Sequence, residues 1–517
     1  MEPRCVSSES PGRLPVVALD GDLTPAGIAV VAAGAAEVRY GGGAEERLRR
    51  QRAFIDAAVA QGQPVYGVTT GLGARVTSAL PAAALAEQSL RTLRGRANGV
   101  GPPLPVEVVR ATMAVRANQM AVGGSGVQPA VVDLLIQMLN RGVVPVVPST
   151  GSISAGDLCQ LAHLGLVLAG EGAATLHPLD GAGASSGPDC GDRVLATAGL
   201  RPVELGPRDG LALCSSSALS AALGALALHA VETVLDDAYE VAALSCEGFR
   251  ANLSPIEPGV LRAHPAPGQD RAAARIRHAL RGSLLLQPGA ARRLQDPLSW
   301  RCLAQVHGAL EAAISFAGPA VHAEVNGSSD NPVVVEDGPD GGRILSSGNF
   351  QPSTLALALD TVALGLHQVA ALSVNRIQRF LAPALTGLPA NLSPHGPERS
   401  GFAPMVKVAQ AVLAEVRRLA APTYDDPRSG AADVEDNSTN AALGGQRLLD
   451  MAAAVRSVFA MEALVATQAA ELAAPARLGE GPARLLVAMR ERVAAMDEDR
   501  SSSADIAAAT EILAARH

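Results

Sequence analysis

Apolar residues recur at helical spacing through most of this chain after Leu104. The segments Val106–Arg141, Leu158–Ala169, Leu211–Ala243, Leu303–Ala317, Thr354–Phe380, Pro404–Leu419 and Ala441–Ala474 are rich in Ala and Leu. Their apolar positions fall three and four residues apart, which gathers the side chains on one helix face. Such long helices with few charges must bury several faces, so they predict a central bundle and contacts between copies of the chain. The N-terminal part is mixed. Val16–Leu19 predicts a strand, Thr24 and Pro25 a helix start with a capping hydroxyl and a first-turn proline, and Ala44–Gln61 an amphipathic helix. Val65–Gly73 is punctuated by glycine too often for either period and predicts a loop. Val333–Val335 and Ile344–Ser346 flank a glycine-rich Asp337–Gly342 turn and predict a hairpin, while Pro178–Asp192 predicts a surface loop. The fold class is mainly α: a long central helix bundle with a mixed N-terminal region and small β-hairpins. The mixed region is expected over residues 1–200 and the central and C-terminal bundle over 201–517, with no internal repeat.

Composition narrows the function more than the fold. The chain has 517 residues, ample for a large core, and a formal net charge of -8. No basic cluster is dense enough for a phosphate backbone, so nucleic acid is excluded as a partner. Six cysteines, at Cys5, Cys159, Cys190, Cys214, Cys246 and Cys302, form no Cys-x-x-Cys pair and read as small buried hydrophobes or plain thiols. Met1–Pro15 lacks the apolar core of a secretory signal, and polar residues interrupt the long apolar stretches before membrane-spanning length. No membrane partner and a cytoplasmic location are therefore expected. His163, His307 and His322 have no zinc-ligand spacing and read as helix histidines with ordinary partners. No phosphate-cradling loop with its lysine is present, and Gly71-Leu72-Gly73 lacks the strand-turn-helix context of a dinucleotide site. No diffusible cofactor and no metal are implied.

The chemistry concentrates in a few motifs. Pro148–Gly165 contains Gly151-Ser152-Ile153-Ser154-Ala155-Gly156-Asp157-Leu158, Tyr66 lies in Val65-Tyr66-Gly67-Val68-Thr69-Thr70-Gly71-Leu72-Gly73, and Arg301 follows Gln295-Asp296-Pro297-Leu298-Ser299-Trp300. Further on come Glu324-Val325-Asn326-Gly327-Ser328-Ser329-Asp330-Asn331-Pro332, Ser347-Gly348-Asn349-Phe350, and Glu415 in Leu413-Ala414-Glu415-Val416-Arg417-Arg418. From about Asp20 to the C-terminus this order of motifs resembles the aromatic amino-acid ammonia-lyases and aminomutases. That resemblance implies a homotetramer acting on a small amino-acid-like molecule, in sites that combine residues from several subunits. It assigns β-proton removal to Tyr66, the substrate carboxylate to Arg301 and Asn326, and the substrate's side chain or amine to Glu415. It also puts Arg96 at or near the position that selects the substrate side chain, and Phe350 in the later signature beside the site.

Each assignment has a physical reason. A base must reach a weakly acidic carbon, and a tyrosine does so when its neighbours favour the phenolate. Glycines around Tyr66 allow its loop to open and close. A guanidinium grips a carboxylate in two-pronged geometry at Arg301, and at Arg96 it favours a side chain carrying an acceptor or negative charge. Bland alternatives compete with each: a packing tyrosine, an Arg301 pair with Asp296 or Glu324, an Arg96 pair with Glu435, and a surface Glu415–Arg418 pair.

The departures from the family cluster around its electrophile, a methylidene-imidazolone cyclised from Ala-Ser-Gly. Here the triplet is Ser154-Ala155-Gly156, and Ala155 has no hydroxyl to lose. A register shifted to Ile153-Ser154-Ala155 restores a central serine but takes the attacking nitrogen from a residue that carries a side chain. Ser215 stands where the family has asparagine, Leu298 where it has tyrosine, Gln351 where it has histidine and Val434 where it has glutamine. Losses at the electrophile beside retained groups elsewhere favour a repurposed site: a carbon–nitrogen lyase without the electrophile, whose nitrogen is already a good leaving group. The competing readings are a conventional ammonia-lyase or aminomutase using the shifted register, and a catalytically silent homologue that acts as a binding subunit. The triplet itself also reads as a plain glycine turn before a helix capped by Asp157.

Overall fold

The helices expected from the apolar spacing are all present in a computed structural model, which describes residues 14–73, 76–179, 185–337, 341–423, 435–475 and 477–516. The protein is mainly helical, and its strands form four small sheets of two or three strands among the described residues. Most expected boundaries hold to within a residue or two: Leu158–Leu168, Ser353–Phe380, Ala403–Leu419 and Ala441–Ala473. Three differ for physical reasons. The Val106–Arg141 segment is two helices, Val106–Val122 and Pro129–Arg141, because Gly123, Gly124 and Gly126 all take positive φ between them. A Cβ on Gly124 would lie 2.3 Å from the Ser328 hydroxyl, so only glycine fits that crossing. The Leu211–Ala243 segment divides at Ser215–Ser217 into Asp209–Cys214 and Ala218–Phe249. Leu303–Asn326 runs past the expected end at Ala317, through Pro319.

The chain forms two compact units. One comprises Met1–His229, Gly318–Leu357 and Pro422–Gln446; the other comprises Ala230–Ala317, Ala358–Ala421 and Arg447–His517. A single division at residue 200 therefore does not describe how the chain groups. Four boundaries fall inside the long helices, which serve both units and obscure any break in composition.

In the first unit Val16–Leu19 pairs in parallel with Glu37–Tyr40, and the Thr24 hydroxyl accepts the Gly27 amide at 3.1 Å to cap Pro25–Ala32. The central helix is Val106–Val122, buried from Val108 to Ala121. Pro25–Ala32, Ala44–Ala60 and Pro129–Arg141 pack around it. Val333–Glu336 and Gly342–Leu345 form the expected antiparallel hairpin. A buried ion cluster ties these parts together. Asp330 is bound at 2.8 Å by Arg116 and at 2.9 Å by Arg208, with all three side chains fully buried. Arg116 also donates to the Ala212 carbonyl, and Arg208 to the carbonyls of Ser125, Asn331 and Pro332. One carboxylate thus fixes the end of Asp209–Cys214 and the turn before the hairpin.

The second unit has an aromatic centre, where Phe249 and Trp300 stack with ring centroids 3.7 Å apart and Phe380 meets Phe249 edge-on at 5.9 Å. Beside it Arg376 pairs with Glu462, both fully buried, and donates to the Ser299 carbonyl. His307 is fully buried on Leu303–Asn326, and burial pushes its imidazole down to about 3, so it is neutral. Its Nδ1 lies 2.9 Å from the Leu303 carbonyl. The histidines at 163 and 322 have partners too, in the Gly99 amide and the Asn326 side chain. Cys214 and Cys246 are buried small side chains, Cys190 is exposed, and Cys5 lies outside the described residues.

Asp209–Phe249 and Ser353–Phe380 are long and apolar enough to cross a membrane, so interruption by polar residues does not separate them from spanning segments. Burial accounts for their composition: 94% of the apolar window of the first and 61% of the second is buried within the protein.

The Asp330 cluster gives a stability prediction. Asp330→Asn keeps the shape but leaves two buried guanidiniums sharing no counter-charge. It is expected to cost about 3–5 kcal/mol, read as a lowered denaturant midpoint. A loss under ~1 kcal/mol would contradict the clamp.

Candidate active site

Tyr66 stands in a loop without regular structure between Ala44–Ala60 and Ala82–Arg94. Its hydroxyl accepts the Gly73 amide at 3.1 Å, so the loop closes on its own tyrosine. Gly67, at φ +63°, lets the chain turn against Leu211 and Leu72, where a Cβ would come within 2.5 Å of both side chains. The phenol opens on a cavity of about 1050 Å³, all within the first unit. Around it stand Arg96, Ala155, Ser215, Asn331, Phe350 and Gln351, with Glu435, Asp436 and Asn437 at one side.

The floor is the 154–157 turn. Ser154 takes φ +57° and Gly156 φ +73°, two left-handed residues flanking Ala155. The result separates their side chains: Ala155 lines the cavity, whereas Ser154 is fully buried. Ser154 is held from several sides. Its amide donates to Ser152 Oγ at 2.9 Å and its carbonyl accepts Thr439 Oγ1 at 3.1 Å. Its hydroxyl accepts the Ala442 amide at 3.0 Å and lies 3.1 Å from Ser220 Oγ. A non-glycine residue in this region costs about 1–3 kcal/mol, which these bonds offset. The Gly156 amide donates to the Phe350 carbonyl at 3.1 Å and the Asp157 amide to the Ser216 carbonyl at 2.7 Å, joining the turn to two other cavity walls.

Asp157 precedes Leu158–Leu168 but does not cap it with its side chain, contrary to the sequence expectation. The carboxylate turns instead to Ser152 Oγ at 2.7 Å and to the Ser220 amide and hydroxyl at 2.8 and 3.0 Å. Burial holds its pKa up, and those donors draw it back.

The remaining expected residues are distributed unevenly. Arg96 donates to the Thr92 carbonyl at 3.4 Å, and no carboxylate among the described residues lies within ion-pair distance of it, so the pair with Glu435 is not formed. Gln351 donates to Asn437 Oδ1 at 2.7 Å. Asn326 does not line the cavity: it receives the Leu23 amide at 2.8 Å and Asn118 Nδ2 at 2.9 Å, and donates to the Leu23 carbonyl, pinning the helix end. Asn331, five residues on, is the asparagine that reaches the cavity, and the motif containing it gave no means to choose between the two. Arg301 and Glu415 belong to the second unit and are absent from the lining. Arg301 bonds the Gln295 side chain, and Asp296 takes Arg293 at 3.7 Å instead. Glu415 is exposed and paired with Arg418, which holds its carboxyl below the usual range. Val434 lies outside the described residues.

Sequence reasoning passed over Glu324 as a functional residue. Its carboxyl accepts Ser217 Oγ at 2.7 Å, and burial, with Asp157 adding like charge and Ser217 opposing, pushes it up to about 7. No spacing rule marks a glutamate near a helix end as buried, so only packing reveals it.

Comparison with known proteins agrees with this architecture. A family model described as aromatic amino acid lyase matches residues 23–491. A histidine ammonia-lyase of Anaeromyxobacter sp. (strain K) is 39% identical over 502 residues, covering 96% of this chain and 98% of that protein. One of Treponema denticola is 34% identical, covering 96% of each. Among solved structures, the ergothioneine-degrading ergothionase of Treponema denticola, bound to desmethyl-ergothioneine sulfonic acid, superposes with TM-score 0.90 at 29% identity, covering 97% of this chain and 99% of that one. Histidine ammonia-lyase of Trypanosoma cruzi gives 0.88 at 31%, covering 97% and 93%.

Glu324 yields a pH prediction. A carboxyl raised from 4.5 to about 7 by folding stabilises the protein fully below 4.5, and loses that contribution as pH rises through 7. Glu324→Gln removes the titration while retaining an acceptor for Ser217. Its denaturant stability should match wild type near pH 4.5 and exceed it by about 2–4 kcal/mol at pH 8. The same gap at both pH values would contradict the assignment.

Proposed function

Because this chain belongs to the aromatic amino acid lyase family, a family of carbon–nitrogen lyases, we propose that it performs β-elimination on an amino-acid-derived substrate without a methylidene-imidazolone electrophile. One observation carries the reading. The side chain at the centre of the triplet, facing the cavity, is the methyl of Ala155, and the only adjacent serine hydroxyl is turned into the protein. A shifted cyclisation through Ser154 would break its bonds to Ala442 and Ser220 and would grow its methylidene away from the substrate space. It would also consume the Ile153 carbonyl, which accepts the amides of Thr439 and Asn440 at 3.3 and 3.1 Å.

Without covalent activation, the nitrogen must leave unaided. A fully substituted ammonium does so readily, since it departs as a neutral amine. Betaines of histidine-like amino acids are therefore the proposed substrate class, in keeping with the ergothioneine-related ligand in the similar ergothionase. Tyr66 takes the β-proton. Arg96, unpaired by any carboxylate among the described residues, meets an acceptor or anionic group on the substrate side chain, with Ser215, Phe350 and Gln351 shaping the remaining wall. Small polar residues at Ser215 and Gln351 suit an uncharged rim where the electrophile's neighbours stand in relatives.

The carboxylate site is completed by other copies of the chain in a cytoplasmic homotetramer. Arg301 and Glu415 are unneeded by the cavity of their own chain, and exposed apolar side chains such as Leu298, Leu357 and Leu364, at 59, 59 and 49%, supply faces for assembly. Asn326, engaged by Leu23 and Asn118, serves as a structural support in this reading, and Asn331 takes its place beside the substrate. An open cavity and an Arg301 that forms no ion pair among the described residues both weigh against a silent binding subunit.

Two experiments test this. Intact mass should equal that of the unmodified chain, whereas a loss of two waters would restore the conventional electrophile. Amine release from N-trimethylated betaines should fall by about 10²–10⁴ in Tyr66→Phe, while free amino acids are not turned over by either protein. Equal release by the two proteins would refute the role of Tyr66. For the shared site, mixed oligomers of Tyr66→Phe and Arg301→Ala chains should regain activity that neither parent has, and inactive mixtures would return Arg301 to its own chain's site.

A further inference from the structure

Gln351 lines a second cavity besides the one holding Tyr66. This chamber, about 350 Å³, lies at the end of Leu303–Asn326 and is lined by Glu324, Ser328, Ser329, Asn349 and Gln351 with small residues between them. None of its lining residues is cationic. Its unfilled hydrogen-bonding capacity includes a carboxylate oxygen and further polar acceptors. Glu324 uses Oε2 for Ser217, and its other oxygen has no protein partner among the described residues. Ser328 Oγ and Gln351 Oε1 are buried without a partner, Gln351 giving one of its two N–H groups to Asn437 and the Ser328 hydroxyl being able to accept as well as donate. Asn349 likewise spends its amide N–H on the Ser328 carbonyl at 3.2 Å, leaving its oxygen as an acceptor.

A half-buried carboxylate beside unsatisfied polar atoms gains from a cation with N–H donors. The charged groups around Glu324 offer no relief. Asp157 adds like charge, and Arg116 is committed to Asp330. The carboxyl of Glu324 is raised chiefly by desolvation, with Asp157 adding to it. A divalent metal fits poorly, since no group of three or more His, Cys, Asp or Glu able to hold one occurs among the described residues.

We propose that this chamber binds a small protonated amine, with Glu324 as counter-charge and Ser328 and Gln351 as acceptors, and that it receives the nitrogen released in the adjoining cavity; that nitrogen leaves as the neutral amine and takes up, through water, the proton that Tyr66 removed from the β-carbon. The second half rests on the lyase reading; the binding site itself does not. Gln351 lines both spaces and so places them side by side.

Calorimetric titration of the full-length protein at pH 8 tests the site without turnover. Trimethylammonium and tetramethylammonium chloride are matched in charge and nearly in size, and only the first has an N–H. Trimethylammonium is expected to bind saturably, and tetramethylammonium about tenfold or more weakly, the worth of one charge-assisted hydrogen bond. Glu324→Gln should weaken trimethylammonium by about tenfold to a hundredfold and Ser328→Ala by less, with Glu324→Asp retaining part of the affinity. Unchanged circular dichroism of the variants shows that they fold. Absence of binding to wild type, equal binding of the two ions, or undiminished binding in a folded Glu324→Gln would overturn the proposal. Binding without amine release from any betaine would leave the site standing and refute the lyase reading, whereas release without binding would do the reverse.

Discussion

The hydroxyl of Ser154 is bonded from the Ala442 amide and sits against Ser220, and this decides what the cavity presents to a substrate. With Ser154 drawn inward, the following residue is forced outward, so a methyl group forms the floor. The same turn joins the Phe350 and Ser216 segments through the amides of Gly156 and Asp157. Floor and walls are therefore one hydrogen-bonded unit. The order of two small residues in the triplet thus decides which side chain faces the cavity.

Beneath that turn the electrostatics are those of a buried framework. Asp330 neutralises Arg116 and Arg208, and the two guanidiniums reach the carbonyls that end Asp209–Cys214 and precede the hairpin. Ser215 lies three residues past the held Ala212 carbonyl and Asn331 carries a held carbonyl itself, and both line the cavity. Those small polar groups are therefore rigidly placed. Glu324 and Asp157 stand apart from this framework, since neither pairs with an arginine among the described residues.

How far the sequence could be read depends on the range of the interaction involved. Helix positions follow from local spacing, and Leu158–Leu168, Ser353–Phe380 and Ala441–Ala473 are found nearly as their apolar periods place them. The breaks at Gly123–Gly126 and Ser215–Ser217 were hidden, since the flanking residues keep the helical period through them. Within the site, Tyr66, Arg96, Ala155, Ser215, Phe350 and Gln351 were named from motifs and do meet around one cavity. Asn326 and Asn331, five residues apart in one motif, carry the same chemistry on paper. Their difference lies in Leu23 and Asn118, hundreds of residues away in the chain.

The sequence by itself determined the helical class, the family and the absence of a hydroxyl at position 155, because each is written in residue types and short spacings. Only the tertiary structure decided that Ser154 faces inward, that Arg96 meets no carboxylate among the described residues, and that Glu324 is half-buried beside a polar chamber. Those facts depend on which distant backbone groups surround a side chain. No local pattern encodes the direction in which a hydroxyl or a carboxylate must turn to find its partner.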